Sequence, residues 1–230
     1  MHRILFLALF AIGLPAATDL PDRSPILIEL FTSEGCSDCP PADRLLEQLD
    51  SHAVVLSEHV DYWDHDGWKD PFSSARFTER QRFYAARFQV ESVYTPQMVI
   101  DGEAQFVGSD ARRAQAEIEK ARKRPKASVR LSSTDSGVRV EVAGAPSGVG
   151  VFLAMAEESA TSQVLRGENS GRRLHHVAVA RSIRKIGKVE HGGTFDKTID
   201  LPAEERGLRA VVWLQTGESG PVAGAAVLAK

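Results

Sequence analysis

The sequence predicts an α/β domain followed by a smaller all-β, sandwich-like domain. Three observations lead there. A nearly continuous apolar run, Ile26–Leu27–Ile28–Glu29–Leu30–Phe31, leads into Cys36–Ser37–Asp38–Cys39, an amphipathic segment and a second apolar run. A Thr95–Pro96 step then precedes a short hairpin and a helix. After Pro125 the texture changes to short runs separated by turns rich in Gly, Ser, Asp and Pro. The boundaries read from these changes are 1–17 for a leader, 22–124 for the α/β domain and 126–230 for the β-rich domain.

The leader comes first. His2–Arg3, an apolar run over 4–14 and the small residues Pro15–Ala16–Ala17 have the layout of a secretory signal peptide. The apolar run is shorter than the roughly 20 residues that span a bilayer, so the expectation is a periplasmic or secreted protein, with no membrane association after cleavage. An uncleaved N-terminal anchor is the alternative. A formal charge of −3 over 230 residues argues against nucleic acid as a partner.

The first strand is broken by Thr32–Ser33–Glu34–Gly35. Pro40–Pro41 then open a helix whose apolar face carries Leu45, Leu46 and Leu49. A second strand follows over 53–60. The spacing predicts a helix over 78–88, with Thr78 and Gln81 as a capping box. Strands over 97–100 and 105–108 pair across Asp101–Gly102, and Ser109 or Asp110 caps a helix over 111–122. Beyond 126, seven short strands suggest a β-sandwich.

The chemistry centres on Cys36 and Cys39, the only cysteines in the chain. A bridge closing so short a loop restrains the unfolded chain little, so redox function explains the pair better than stability does. A helix N-terminus favours thiolate. Cys36, the first and more exposed, is the expected attacking thiol, and Cys39 the resolving one. Asp38 opposes thiolate formation and moves the pair toward the reducing end. Pro40 disfavours helical geometry at Cys39. Thr95–Pro96 is read as a cis bond beside the dithiol, with Thr95 and Trp63 lining the substrate groove. Glu58 and Glu29 are candidate proton relays if buried near the pair. His59, Asp61, Asp64, His65 and Asp66 could join the cysteines in a Cu(I) site, against which stands their ordinary use in capping turns. His175 and His176, adjacent on one strand, point to opposite faces and are read as structural or interface residues.

The order of elements over 25–123 resembles the thioredoxin fold. More closely, Phe31 through Asp43, His59–Val60–Asp61–Tyr62–Trp63, Gly67–Trp68–Lys69–Asp70–Pro71–Phe72, Tyr94–Thr95–Pro96–Gln97–Met98 and the stretch from Gly167–Glu168–Asn169 to His176 resemble the exported DUF1223 family. That resemblance implies a thioredoxin-like domain with a β-rich extension, and no particular activity. The Trp–Cys–Gly–Pro–Cys motif of thioredoxin itself is replaced here. Copper chaperones of the Sco type separate their cysteines by three residues, this chain by two. The expected function is thiol–disulfide oxidoreduction on client protein thiols or disulfides, served by a redox partner protein, with catalytic Cys36, Cys39 and Pro96. No cofactor or resident metal is expected beyond the cysteine pair. The alternative is a copper-binding or protein-binding module without turnover.

Overall fold

The computed structural model describes residues 24–65 and 67–228; the leader expected at 1–17 and Asp66 lie outside them. β1 (Ser24–Thr32) pairs parallel with β2 (Ala53–His59) and antiparallel with β3 (Gln97–Ile100), which turns back as β4 (Ala104–Val107). α1 (Pro40–Leu49) and α3 (Ala111–Arg122) pack Ala42, Leu46, Ala114 and Ile118 against Ile26, Ile28, Leu30, Val55 and Met98 on one face. α2 (Ala75–Phe88) brings Tyr84 to Phe31, Val60 and Val99 on the other. Alternation along β1 produces this division: even-numbered residues face α1, odd-numbered ones α2. α2 begins earlier than its capping-box pattern suggests, because Ser74 accepts the cap bond from Arg76 N–H. Thr78 instead donates to Asp61 Oδ1 at 2.6 Å and Gln81 to the Tyr94 carbonyl at 2.7 Å, anchoring the loops on either side.

The second half is β5 (Ser128–Ser133), β6 (Gly137–Ala143), β7 (Gly150–Gln163), β8 (Arg173–Lys188), β9 (Phe195–Asp200), β10 (Arg209–Gln215) and β11 (Val222–Leu228). It overturns the expected fold class. The chain is not a thioredoxin-like α/β domain followed by a separate all-β sandwich. Four of these strands extend the first sheet, giving one mixed eight-stranded sheet in the order β11-β10-β7-β8-β2-β1-β3-β4, with β5-β6-β9 as a second sheet. The described residues hold eleven strands against three α-helices.

The physical reason lies in β2. All seven of its residues are buried, and a flat, buried strand cannot remain an edge with unpaired N–H and C=O groups. β8 runs parallel beside it, with Val179 opposite Ser57. One apolar cluster joins Leu27, Val54, Leu56 and Phe77 to Phe152, Ala154, Ala180 and Trp213 across the expected boundary. Val138, Val140 and Phe195 of the small sheet pack on Val151, Leu153 and Val212 of the large one.

β7 and β8 form a long hairpin, paired from Gly150↔Lys188 to Gln163↔Arg173, whose loop, 164–172, reaches the CxxC segment. Within β8, Ala178 is fully buried at φ 50°, a left-handed conformation that costs a non-glycine residue about 1 kcal/mol or more. Ala178→Gly is expected to change stability by less than about 1 kcal/mol, since strain relief offsets a lost methyl and a freer unfolded chain. Ala178→Val, β-branched and oversized, should cost about 3 kcal/mol in urea unfolding.

Candidate functional site

Cys36 and Cys39 are joined in a disulfide at the start of α1, with Cα atoms 5.4 Å apart. Cys39 is the N-cap, already in helical conformation (φ −76°, ψ −38°), and its carbonyl accepts from the N–H groups of Ala42 and Asp43. The helix thus starts at the motif even with Pro40 next to it. Both cysteines are buried, Cys36 at 1% exposure and Cys39 at 0%, while Ser37 and Asp38 are exposed. The expectation that Cys36 stands more open is corrected by what covers it.

The cover is the β7–β8 loop. Asn169, itself fully buried, donates from Nδ2 to the carbonyls of Glu34 (2.9 Å) and Cys36 (2.8 Å). Glu168 Oε2 accepts from Ser37 N–H at 2.9 Å, and Arg172 donates to Asn169 Oδ1 at 2.8 Å. The loop closes on itself through Val164 N–H to the Arg172 carbonyl and Gly171 N–H to the Val164 carbonyl. Gly167 (φ 76°) and Gly171 (φ 81°) supply the left-handed turns this requires.

The predicted groove residues converge on the same place. The Thr95–Pro96 bond is cis. Trp63 Nε1 donates to Thr95 Oγ1 at 2.7 Å, and a Cβ on Gly35 would lie 3.0 Å from the Trp63 Cβ, so Trp63 bridges the CxxC turn and the proline loop. Pro96, Ala42 and Leu30 meet at Gly108, where a Cβ would fall 2.7 Å from Leu30 Cδ1 and 3.2 Å from the other two Cβ atoms. Cys36, Cys39, Trp63, Thr95 and Pro96 therefore share one neighbourhood.

Beneath the disulfide lies a buried charge cluster that sequence reasoning missed. His176 of β8 stands between Glu34 (Nε2 to Oε1, 3.5 Å) and Asp43 (Nδ1 to Oδ1, 3.6 Å), with all three side chains at 5% exposure or less. These are ion-pair rather than hydrogen-bond distances. Burial works against an imidazolium at His176, but the two carboxylates outweigh it and push its pKa up to about 10. Glu34 also accepts from Trp68 Nε1 (2.8 Å) and Ser162 Oγ, and Asp43 from Thr32 Oγ1 (3.0 Å). Behind it, His59 Nδ1 meets Asp70 Oδ2 at 2.7 Å, and the His59 and His176 rings lie edge to face at 4.6 Å. Burial raises the Asp70 pKa, but His59 and the N–H groups of Glu34 and Phe72 more than reverse that, leaving it below the usual carboxylate range. His175, next to His176, is half-exposed on the opposite face. The only sequence signal for this cluster was that Glu34, Asp43, Asn169 and His176 all fall inside the family-like motifs. Nothing local shows that they meet.

Other candidates are placed elsewhere. Glu29 and Glu58 are fully buried on the α2 face, gathered by Arg80 (Nε at 2.5 and 3.6 Å respectively), and do not serve the dithiol. Asp61 and Asp64 accept from Thr78 and Ser73, as loop-capping residues do. Among the described residues no group of three or more His, Cys, Asp or Glu side chains is arranged to hold a metal ion.

Residues 27–215 match the family described as "Protein of unknown function (DUF1223)". The chain belongs to the DUF1223 family. The matched span takes in the cysteine pair, Pro96, Asn169 and His176, and runs across the Pro125 texture change to the end of β10, as a continuous sheet requires. The DUF1223 chain is also similar to an X-ray structure of an Agrobacterium tumefaciens protein, with TM-score 0.77 and 26% identity over 90% of this chain and 95% of that one. No curated protein matches the sequence. Among the described residues no helix is long and apolar enough to cross a membrane.

Proposed function

We propose that this DUF1223 protein is an exported thiol–disulfide oxidoreductase acting on protein thiols or disulfides. The observation that carries the reading is the convergence of a disulfide at a helix N-terminus, Cys36–Cys39, with the loop of Thr95 and Pro96, both held by Trp63. In the reductive direction, the Cys36 thiolate attacks one sulfur of a client disulfide and expels the other as thiolate. Cys39 then gives up its proton to solvent and attacks Cys36 Sγ, which releases the second client sulfur and closes the Cys36–Cys39 bond. Two electrons pass to the client, and a dithiol partner protein returns them. Pro96 and Thr95 shape the docking surface, and the loop 164–172 swings aside for attack. Export is supported by the leader-like sequence alone.

The burial of both cysteines under Asn169 supports a second reading, a protein-binding module whose disulfide is a fixed staple. Equilibration with glutathione redox buffers, followed by alkylation of free thiols, separates the two. The oxidoreductase reading expects reversible exchange in the folded protein and a stable mixed disulfide in Cys39→Ser. It also expects Asn169→Ala, which loses two latch bonds of about 1 kcal/mol each, to react about thirtyfold faster. A Cys39→Ser protein whose Cys36 forms no mixed disulfide with oxidised glutathione leaves the staple.

A further inference from the structure

We propose that the pair is built as an electron donor: Glu168, docked on Ser37 N–H, acts with Asp38 to disfavour the Cys36 thiolate and so stabilise the disulfide. This rests on the oxidoreductase reading only for the identity of the acceptor, and it assigns the direction of electron flow.

Strongly oxidising CxxC pairs owe their potential to a stabilised reduced form, in which backbone N–H groups and positive charge at a helix N-terminus hold the first cysteine as thiolate. Here the first N–H after Cys36 is taken by a carboxylate from another part of the chain. That hydrogen bond holds the Glu168 carboxyl below the usual carboxylate range, so an anion already occupies the position where a Cys36 thiolate would look for a donor.

The charged groups around the motif come from every element packed on it. Glu34 precedes it, Asp38 lies inside it, Asp43 projects from α1 and Glu168 from the β7–β8 loop. One cation among them, His176 of β8, stands between Glu34 and Asp43. His59 and Asp70 form a pair of their own behind it. Arg172 is turned to Asn169 Oδ1. Glu34 and Asp43 are compensated by His176, which leaves Asp38 inside the motif and Glu168 docked on it as the exposed carboxylates without a cation among the described residues, at a site that would have to carry another negative charge on reduction. The chemistry fits a donor to client disulfides or sulfenic acids, re-reduced by a dithiol protein.

The test titrates the cysteine pair against dithiothreitol redox buffers at low ionic strength, with alkylation and mass measurement as readout. It compares wild type, Glu168→Gln, Asp38→Asn, the double variant and Asn169→Ala. Glu168 and Asp38 are exposed, so the charge variants fold. The double variant is expected to be about tenfold easier to reduce, about 30 mV less negative. The gap should shrink in 1 M salt, because exposed charges are screened. Asn169→Ala, which loosens the loop without changing charge, should shift the equilibrium less than Glu168→Gln. An unchanged double variant, a shift toward easier oxidation, or an equal shift in Asn169→Ala overturns the assignment. The titration needs no client. A shifted potential with no mixed disulfide in Cys39→Ser would therefore sink the oxidoreductase reading alone, and a mixed disulfide with an unshifted potential would sink the charge assignment alone.

Discussion

His176→Gln is expected to lower the free energy of unfolding by about 3–5 kcal/mol, because it removes one partner from a buried ion cluster. Glu34 and Asp43 would be left facing each other across a site with almost no access to water. The pH dependence gives the substitution a signature that lost packing cannot mimic. The folded His176 pKa of about 10 lies above the ordinary histidine value of about 6.5. Its contribution is therefore complete below pH 6.5 and is lost as the pH rises through 10. Wild-type stability in urea should fall between pH 7 and pH 10, and the His176→Gln protein should show little of that slope. Adding Asp43→Asn should recover part of the loss at neutral pH, a non-additivity expected of groups in one network. A slope that survives in His176→Gln would mean the imidazole is uncharged in the folded protein.

This cluster also marks the limit of what the sequence made legible. Cys36, Cys39, Thr95 and Pro96 could be read because their signals are local: a spacing, a strand end, a proline. The individual strands of the second half were legible for the same reason. Their assembly was not, because β8 finds β2 through a pairing, Ser57 with Val179, that no local pattern encodes. A signal for it does exist. β6 alternates buried and exposed residues as a half-solvated strand should, whereas β10 and residues 150–156 of β7 are buried on both faces. The runs Val151–Phe152–Leu153–Ala154–Met155 and Ala210–Val211–Val212–Trp213–Leu214 are continuous, the mark of strands in the middle of a covered sheet rather than in a small sandwich. Once the hairpin is placed by that sheet, Asn169 and His176 arrive at the dithiol from more than a hundred residues away.

On the other face of the sheet, Arg80→Met is expected to be comparably damaging, about 3–5 kcal/mol at pH 7. Arg80 donates to Glu29 (2.5 Å), Tyr84 (3.1 Å) and Gln215 (2.9 Å), and lies 5.2 and 5.1 Å from the ring centroids of Tyr84 and Trp213. Glu58 sits beside this group with neither carboxyl oxygen hydrogen-bonded among the described residues. Burial, and then the neighbouring Glu29, push the Glu58 pKa well above the usual carboxylate range against the pull of Arg80. A carboxyl whose folded pKa is raised contributes stability that is complete below its unfolded value, about 4.3, and is lost as the pH rises through the folded one. Without Arg80 nothing opposes that rise, so the damage in Arg80→Met should be greatest at alkaline pH and shrink toward pH 4–5 as Glu58 protonates. Glu58→Gln, which keeps the shape and removes the titration, should leave stability at pH 5 nearly unchanged and raise it above pH 8. Unfolding curves for the two variants across that range decide the point: an Arg80→Met defect independent of pH would mean the arginine acts through its ring contacts rather than by holding Glu29 and Glu58 together.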